Sequence, residues 1–304
     1  MSDPLSFVPL ALAAAGGRVD GFDVRQLVAA GVTLLQRTAP LVRALQGRRA
    51  AVLLPASAHV VTALSASAGR GAVLLPLWFQ GADIASQLRD ADVGAVFTLR
   101  QYEPLVPAEF ARVLLDDAPA WARWSLADRF RDVDLTSHDA LAIEGEKDVA
   151  GAQEEAALVF APSSLSAVSA RSLSHRELMH SARHLAQGAQ LTSHDAVLNT
   201  LPLTTGIGLQ VGLLAPLLAG AAVSCAELAS ADEVLRQLEE GETSVLVGPL
   251  SLFTELVALL ERRITPLRPP ALRLALSGPV RRAGDLAERW HRLTGVALRS
   301  ATGA

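Results

Sequence analysis

Short uncharged apolar runs alternate with stretches of helical spacing along most of this chain, and that alternation restricts the fold more than any other feature. Arg49 to Pro55 (RAAVLLP), Gly71 to Leu77 (GAVLLPL) and Ala95 to Leu99 (AVFTL) are apolar at consecutive positions. Both of their faces must therefore be covered, as in a sheet with helices on each side. Between them, Ala58 to Arg70 and Asp83 to Asp92 have helical spacing. Strands joined through helices of about 10 to 15 residues return to the same end of a sheet, so they pair in parallel.

The pattern resumes after a charged stretch. Asp116 to Glu155 is poor in strand signal and ends in GEKDVAGAQEE, which predicts a connection and a boundary between a first α/β region, 1–155, and a second, 156–304. The second region predicts strand Ala157–Phe160, a serine-rich loop and helix Ser174–Gln187. Strand Ala196–Thr200, helix Leu209–Leu218, strand Ala221–Cys225 and helix Ser230–Glu240 come next. Strand Ser244–Val247, helix Leu250–Arg262, strand Leu272–Ser277 and helix Ala283–Thr294 complete it. The expected class is α/β, with layered parallel sheets flanked by helices. LTSHDA occurs at 135–140 and 191–196; six residues of that kind make a turn, not a repeat architecture.

Composition excludes several functions. A chain of 304 residues, half hydrophobic, has the size of about two domains. Its net charge of −4 leaves no nucleic-acid footprint. Lys147 is the only lysine, so chemistry that needs a lysine amine must use it. A single cysteine, Cys225, lies in an apolar run as a small hydrophobe, and without a disulfide framework the expected compartment is the cytoplasm. The leader before the first apolar stretch is acidic and does not read as a signal peptide. Ala196 to Ala226 carries no charge, but its polar residues, prolines and glycines fit strand, loop, buried helix and strand better than a membrane span. His180 and His184 share a helix face without a third ligand, so no metal site is assigned. GIG at 206–208 lacks the dinucleotide fingerprint, and GxSxG is absent. Trp121, Trp124 and Phe130 read as packing residues.

Four stretches, in order, resemble the large N-terminal domain of AMP-forming acyl-CoA and acyl-carrier-protein synthetases. They are Arg48 to Thr98, LSHREL at 173–178, LNTLPLTTGIGLQVGLLAPLLAGAAV at 198–223, and LRLALSGPVRRAGDLAERWHRLTGV at 272–296. The resemblance implies ATP and magnesium as cofactors. It also implies an acyl carboxylate as substrate, and an acyl-carrier protein or other thiol carrier as partner.

Site residues follow position by position from that resemblance. The family's phosphate loop, TSGTTGxPKGVxLSH, falls on APSSLSAVSARSLSH, so its glycines and lysine become Ser163, Ser166 and Ser169, with Val168 and Ala170 at the proline and next glycine. The hydroxyls of Ser163, Ser164 and Ser166 remain as donors, and Arg171 is the nearest cation to the lysine position. Glycine is used where backbone must approach phosphate closely or adopt a positive φ. A charge-assisted hydrogen bond to phosphate is worth about 1.5–3 kcal/mol. The adenine side falls on Ser277, Gly278, Pro279, Thr302 and Gly303, with Thr302 where the family stacks a tyrosine. The acyl pocket falls on Thr204, Thr205, Gly206 and Gly208. The family's C-terminal lid domain has no counterpart in these residues, which implies a partner that supplies it.

Two readings follow. In one, the chain is an AMP-forming acyl-activating protein with impaired ATP chemistry. In the other, it is a non-catalytic pseudoenzyme that binds an acyl group or a protein partner.

Overall fold

The computed structural model describes residues 8–37, 39–46, 48–67, 71–75, 82–116, 155–160, 170–227, 229–263, 268–278 and 285–301. The chain divides into two compact units, the first built mostly from residues before 182 and the second mostly from those after it.

In the first unit, strands β3 (Arg49–Leu53), β4 (Ala72–Leu74), β5 (Val93–Thr98), β6 (Ala111–Leu114), β7 (Glu155–Phe160) and β8 (Ala170–Ser174) form a six-stranded sheet. Its order is β6-β5-β3-β4-β7-β8. All pairs are parallel except β7 with β8. The described residues of β3 to β5 are buried almost throughout, as their unbroken apolar runs require. Helix α5 (Ala82–Asp90) covers one face: Ile84 and Leu88 pack with Ala51, Val73, Val96 and Phe110. Helices α2 (Val24–Arg37) and α4 (Ala58–Ala66) approach so closely that a Cβ on Gly31 would lie 2.4 Å from the Thr62 carbonyl oxygen. Helix α1 (Val8–Ala15) and helix α3 (Ala39–Leu45) complete the helical part of this unit.

In the second unit, strands β9 (Ala196–Asn199), β10 (Ala222–Cys225), β11 (Val245–Val247), β12 (Leu274–Ser277) and β13 (Leu298–Ser300) pair in parallel. The short strand β1 (Arg18–Val19) adds to β10, and the order is β13-β12-β11-β9-β10-β1, with β2 (Phe22–Asp23) at the end. Asp20, at φ 50°, accepts the Cys225 amide on Oδ1 at 2.7 Å and so clips this turn to the sheet. Helix α6 (His175–Gly188) precedes β9. Helices α8 (Ala231–Glu240), α9 (Leu250–Glu261) and α10 (Leu286–Thr294) bury Val234, Leu235, Phe253, Leu256 and Trp290 against Leu198, Leu246 and Ala275. Phe253 and Trp290 meet edge to face, with centroids 5.1 Å apart.

The two sheets repeat one connectivity. In each, the second strand pairs on one side of the first, and the third and fourth lie on the other, giving β6-β5-β3-β4 and β12-β11-β9-β10. The layered parallel sheets flanked by helices are those expected. The predicted boundary at 155/156 does not coincide with the division, because β7 and β8 pair into the first sheet. Ala170–Ser174 is a strand where a loop was expected, its backbone satisfied by antiparallel pairing with β7.

The predicted helix 209–218 takes a different form. Gly208–Leu214 is π-helical, and α7 (Ala215–Leu218) follows as a short α-helix. Pro216 has no N–H to give the Gly212 carbonyl, which favours the wider turn before it. No helix among the described residues is long and apolar enough to cross a membrane.

Candidate functional site

In an open parallel sheet, ligands bind outside the carboxyl ends of the strands, where neighbouring connections leave in opposite directions. In the second unit that point lies between β9 and β11, since β9 leads to β10 on one side and β11 to β12 on the other. Backbone bonds carry the ladder one residue past the strands: Thr200 N to Val247 O at 2.8 Å, Gly248 N to Leu276 O at 3.0 Å, and Ala301 N to Ser277 O at 2.8 Å. Thr200, Gly248, Ser277 and Ala301 therefore form one edge across four strands.

The side chains along that edge are firmly placed. The Thr200 hydroxyl donates to the Val247 carbonyl at 3.0 Å. A Cβ on Gly248 would come within 2.7 Å of that hydroxyl oxygen. Asn199, fully buried, accepts the Leu201 amide at 3.0 Å and donates from Nδ2 to the Leu201 carbonyl at 3.1 Å. Gly212 of the π-helical turn sits on this amide, where a Cβ would be 2.4 Å from Asn199 Oδ1. Asn199, Thr200 and Gly248 were not singled out in the sequence. The Asn-Thr pair ending the apolar run AVLNT was the available signal, since a buried polar pair needs partners.

Ser277 and Gly278 end β12 and differ from these neighbours. The Ser277 hydroxyl is fully buried and has no hydrogen-bond partner among the described residues. Such an orphan is costly unless a ligand satisfies it. A Cβ on Gly278 would meet nothing within 4 Å, so the backbone there faces open space. The edge thus offers room beside Gly278 and an unspent hydroxyl next to it. The other adenine-side candidates, Pro279, Thr302 and Gly303, lie outside the described residues.

Ser163, Ser164, Ser166 and Ser169 of the phosphate-loop positions also lie outside the described residues. Arg171 is described, on β8 in the first unit. Its side chain is 73% exposed and sits 3.8 Å from Glu177. Glu177 in turn closes the start of α6: its carboxylate accepts the Ser174 amide at 2.8 Å and the Ser174 hydroxyl at 3.0 Å. The Ser174 hydroxyl oxygen accepts the Glu177 amide at 3.2 Å. This capping box supplies the anion that a helix N-terminus attracts. Hydrogen bonds from Ser174, then the Arg171 charge, hold the Glu177 carboxyl below its ordinary range against a small opposing effect of burial.

His175, the first residue of α6, is 4% exposed and accepts the Val8 amide on Nδ1 at 3.3 Å. Burial lowers its pKa to about 4, so the ring is a neutral acceptor. His180 and His184 are exposed on the same helix. No group of three His, Cys, Asp or Glu that could hold a metal occurs among the described residues. Cys225 is half-buried, and burial, followed by the charges of Asp20 and Glu227, pushes its thiol well up, as suits an inert side chain. Of the acyl-pocket positions, Thr204, Thr205 and Gly206 group with the first unit and Gly208 with the second. The Thr204 hydroxyl is buried without a partner among the described residues.

Parallel sheets flanked by helices, with an open carboxyl edge at Ser277–Gly278, define the class as α/β. A family model of AMP-binding enzymes matches residues 41–303, and the chain belongs to that family. The fold is shared with VinN, at 18% identity and TM-score 0.73, over 97% of this chain and 73% of that one. It is shared too with the unliganded O-succinylbenzoate coenzyme A synthetase of Bacillus subtilis, at 20% identity and TM-score 0.66, over 96% and 58% of the two chains. A malonyl-CoA ligase with methylmalonyl-CoA and AMP bound is similar at 22% identity and TM-score 0.66, over 97% of this chain and 60% of the other. This chain therefore spans less than two thirds of those two ligases. A comparison with curated proteins finds no match.

Proposed function

We propose that this chain binds the adenosine part of an acyl-adenylate at the carboxyl edge of its second sheet, and that its hold on the phosphates of ATP is weak. The observation that carries the reading is the pair at the end of β12, an orphaned buried hydroxyl on Ser277 beside open backbone at Gly278, within an AMP-binding match that spans it. Ser277 and Gly278 fit a nucleoside. The described residues near the phosphate-loop positions fit a polyphosphate less well, since Arg171 faces Glu177 and the start of α6 is already capped.

The reaction class is carboxylate activation: a carboxylate attacks the α-phosphorus of ATP to give an acyl-adenylate and pyrophosphate, and a carrier thiol then takes the acyl group and releases AMP. Structures of the same fold are named as an anthranilate CoA ligase, an O-succinylbenzoate coenzyme A synthetase and a malonyl-CoA ligase, which supports that class. ATP with magnesium supplies the electrophilic α-phosphorus. This chain's part is to seat adenosine at Ser277–Gly278 and to keep the acyl group dry along the buried π-helical turn 208–214. Thr204, Thr205 and Gly206 belong to the acyl end of that reading. The capped start of α6 favours, as a second reading, a binding module that retains the adenylate site without turnover.

Calorimetry with an acyl-sulfamoyl adenosine separates the two ends of the site. Ser277→Ala removes a buried hydroxyl that has no partner, so folding stability should hold or rise while affinity for the mimic falls about fivefold. Unchanged affinity would remove Ser277 from the site. Arg171→Ala should alter ATP affinity by less than about twofold, as suits an exposed arginine paired with Glu177. A loss of about tenfold or more would make Arg171 the phosphate clamp.

A further inference from the structure

We propose that the substrate is a hydroxy acid and that Thr204 is the specificity residue that receives the hydroxyl on its acyl part. This rests on the reading above, in which Thr204 belongs to the acyl end, and adds the class of acid to it.

Buried hydroxyls elsewhere in the chain donate to backbone carbonyls. Ser65 reaches the Val61 carbonyl at 2.8 Å, Thr98 that of Leu53 at 3.0 Å, Thr200 that of Val247 at 3.0 Å and Thr294 that of Trp290 at 2.8 Å. Each bond offsets the cost of taking a hydroxyl out of water. Among the described residues, only the hydroxyls of Ser277 and Thr204 are buried without a partner. Those are also the two positions that the reading above gives to the ligand, Ser277 to the nucleoside and Thr204 to the acyl group.

Thr204 is 6% exposed and lies in the connection from β9 to the π-helical turn 208–214. At the start of that connection the Asn199 amide spends both its ends on Leu201. Thr204 spends nothing. Valine has the same shape without the unpartnered group, so packing alone gives a hydroxyl no advantage over a methyl here.

The chemistry of the side chain sets the class of the substituent. A threonine hydroxyl both donates and accepts, and a ligand hydroxyl does the same, so the pair can form in either sense. A charged substituent would need a buried counter-ion. From Ala196 to Ala226 the chain carries no Asp, Glu, Lys, Arg or His. A neutral hydroxyl meets both conditions.

Calorimetry on the whole chain tests this with hexanoyl- and benzoyl-sulfamoyl adenosine, each beside its singly hydroxylated counterparts, and with aminohexanoyl mimics that are charged at pH 7. At least one hydroxylated mimic should bind about tenfold more tightly than its parent, and no aminohexanoyl mimic should outdo hexanoyl. Thr204→Val should cancel the preference, while Thr204→Ser, which keeps the hydroxyl, should retain it. Melting curves check that the variants fold, and Thr204→Ala takes the place of the valine variant if that one does not. A preference under twofold for every hydroxylated mimic, a preference that survives loss of the Thr204 hydroxyl, or tightest binding by an aminohexanoyl mimic would each overturn the proposal and leave the adenylate reading standing. Binding of none of the mimics would overturn that reading and the proposal with it.

Discussion

Replacing Asp195 by alanine should destabilise the second unit by about 3 kcal/mol. Its carboxylate, 5% exposed, ends the turn before β9 and receives five hydrogen bonds, one of them from the Thr192 hydroxyl at 3.2 Å. Arg273 grips it through Nε at 2.8 Å and NH2 at 2.7 Å, the Ser244 hydroxyl at 2.7 Å and the Thr192 amide at 2.8 Å. Arg273 also ties the chain after α6 by donating to the Gln190 carbonyl at 2.9 Å. Without the carboxylate, the Ser244 hydroxyl and the Thr192 amide each lose a partner, at about 1 kcal/mol apiece. Arg273 loses its counter-ion; its side chain is 39% exposed, so water recovers part of that, leaving roughly another 1 kcal/mol.

The pH dependence follows from the same contacts. Burial alone would raise the Asp195 pKa, but the bonds from Arg273, Ser244 and Thr192 outweigh it and hold the group well below its ordinary 3.8. A depressed carboxylate contributes its full stability above the unfolded value and loses it as pH falls through the folded one. Urea denaturation followed by circular dichroism should therefore show the same difference between wild type and Asp195→Ala at pH 7 and pH 5. The gap should begin to close only below about pH 4. A difference under about 1 kcal/mol at pH 7, or one that fades between pH 7 and 5, would refute the reasoning.

His175 adds a second loss of stability in acid, at higher pH than that of Asp195. Its ring is neutral and accepts the Val8 amide, so the unfolded chain takes up a proton near pH 6.5 while the folded one resists until about 4. Stability should fall by roughly 3 kcal/mol across that window, and His175→Asn, which can still accept the amide, should abolish the slope in pH-dependent melts. Gly94→Ala would place a Cβ 1.8 Å from the Ala44 carbonyl oxygen, backbone against backbone, and should cost about 3 kcal/mol or prevent folding, as judged by yield and melting temperature. Gly212→Ala drives a methyl to 2.4 Å from Asn199 Oδ1 and should lower stability by about 1–3 kcal/mol; an unchanged melt would mean that the π-helical turn moves freely.

Much of the fold was legible because the strands bury both faces. RAAVLLP, AVLNT and LALS are apolar without alternation, and their helices carry caps such as Ser230 with Glu233, which form a capping box on α8. Harder to read was β8, since ARSLS is half polar and its pairing with β7 is a long-range choice. The π-helical turn was equally hidden, because nothing in periodicity separates a widened turn from an α-helix; only Pro216 hinted at it. The strands β1 and β13 are two and three residues long and exist through their neighbours' hydrogen bonds. Ser277 and Gly278, the candidate adenine-side pair, stood out only through the resemblance of their segment to a family motif. Asn199, Thr200 and Gly248 became visible only once the strand order placed β9 beside β11.

Calorimetric titration with an acyl-sulfamoyl adenosine and with ATP–magnesium, on wild type and Ser277→Ala, bears most directly on the adenylate site. The account predicts saturable binding of the mimic, weakened about fivefold by the substitution, and ATP binding weaker than the mimic by about tenfold or more. No heat with the mimic at millimolar concentration, or ATP binding as tight as the mimic, would contradict it.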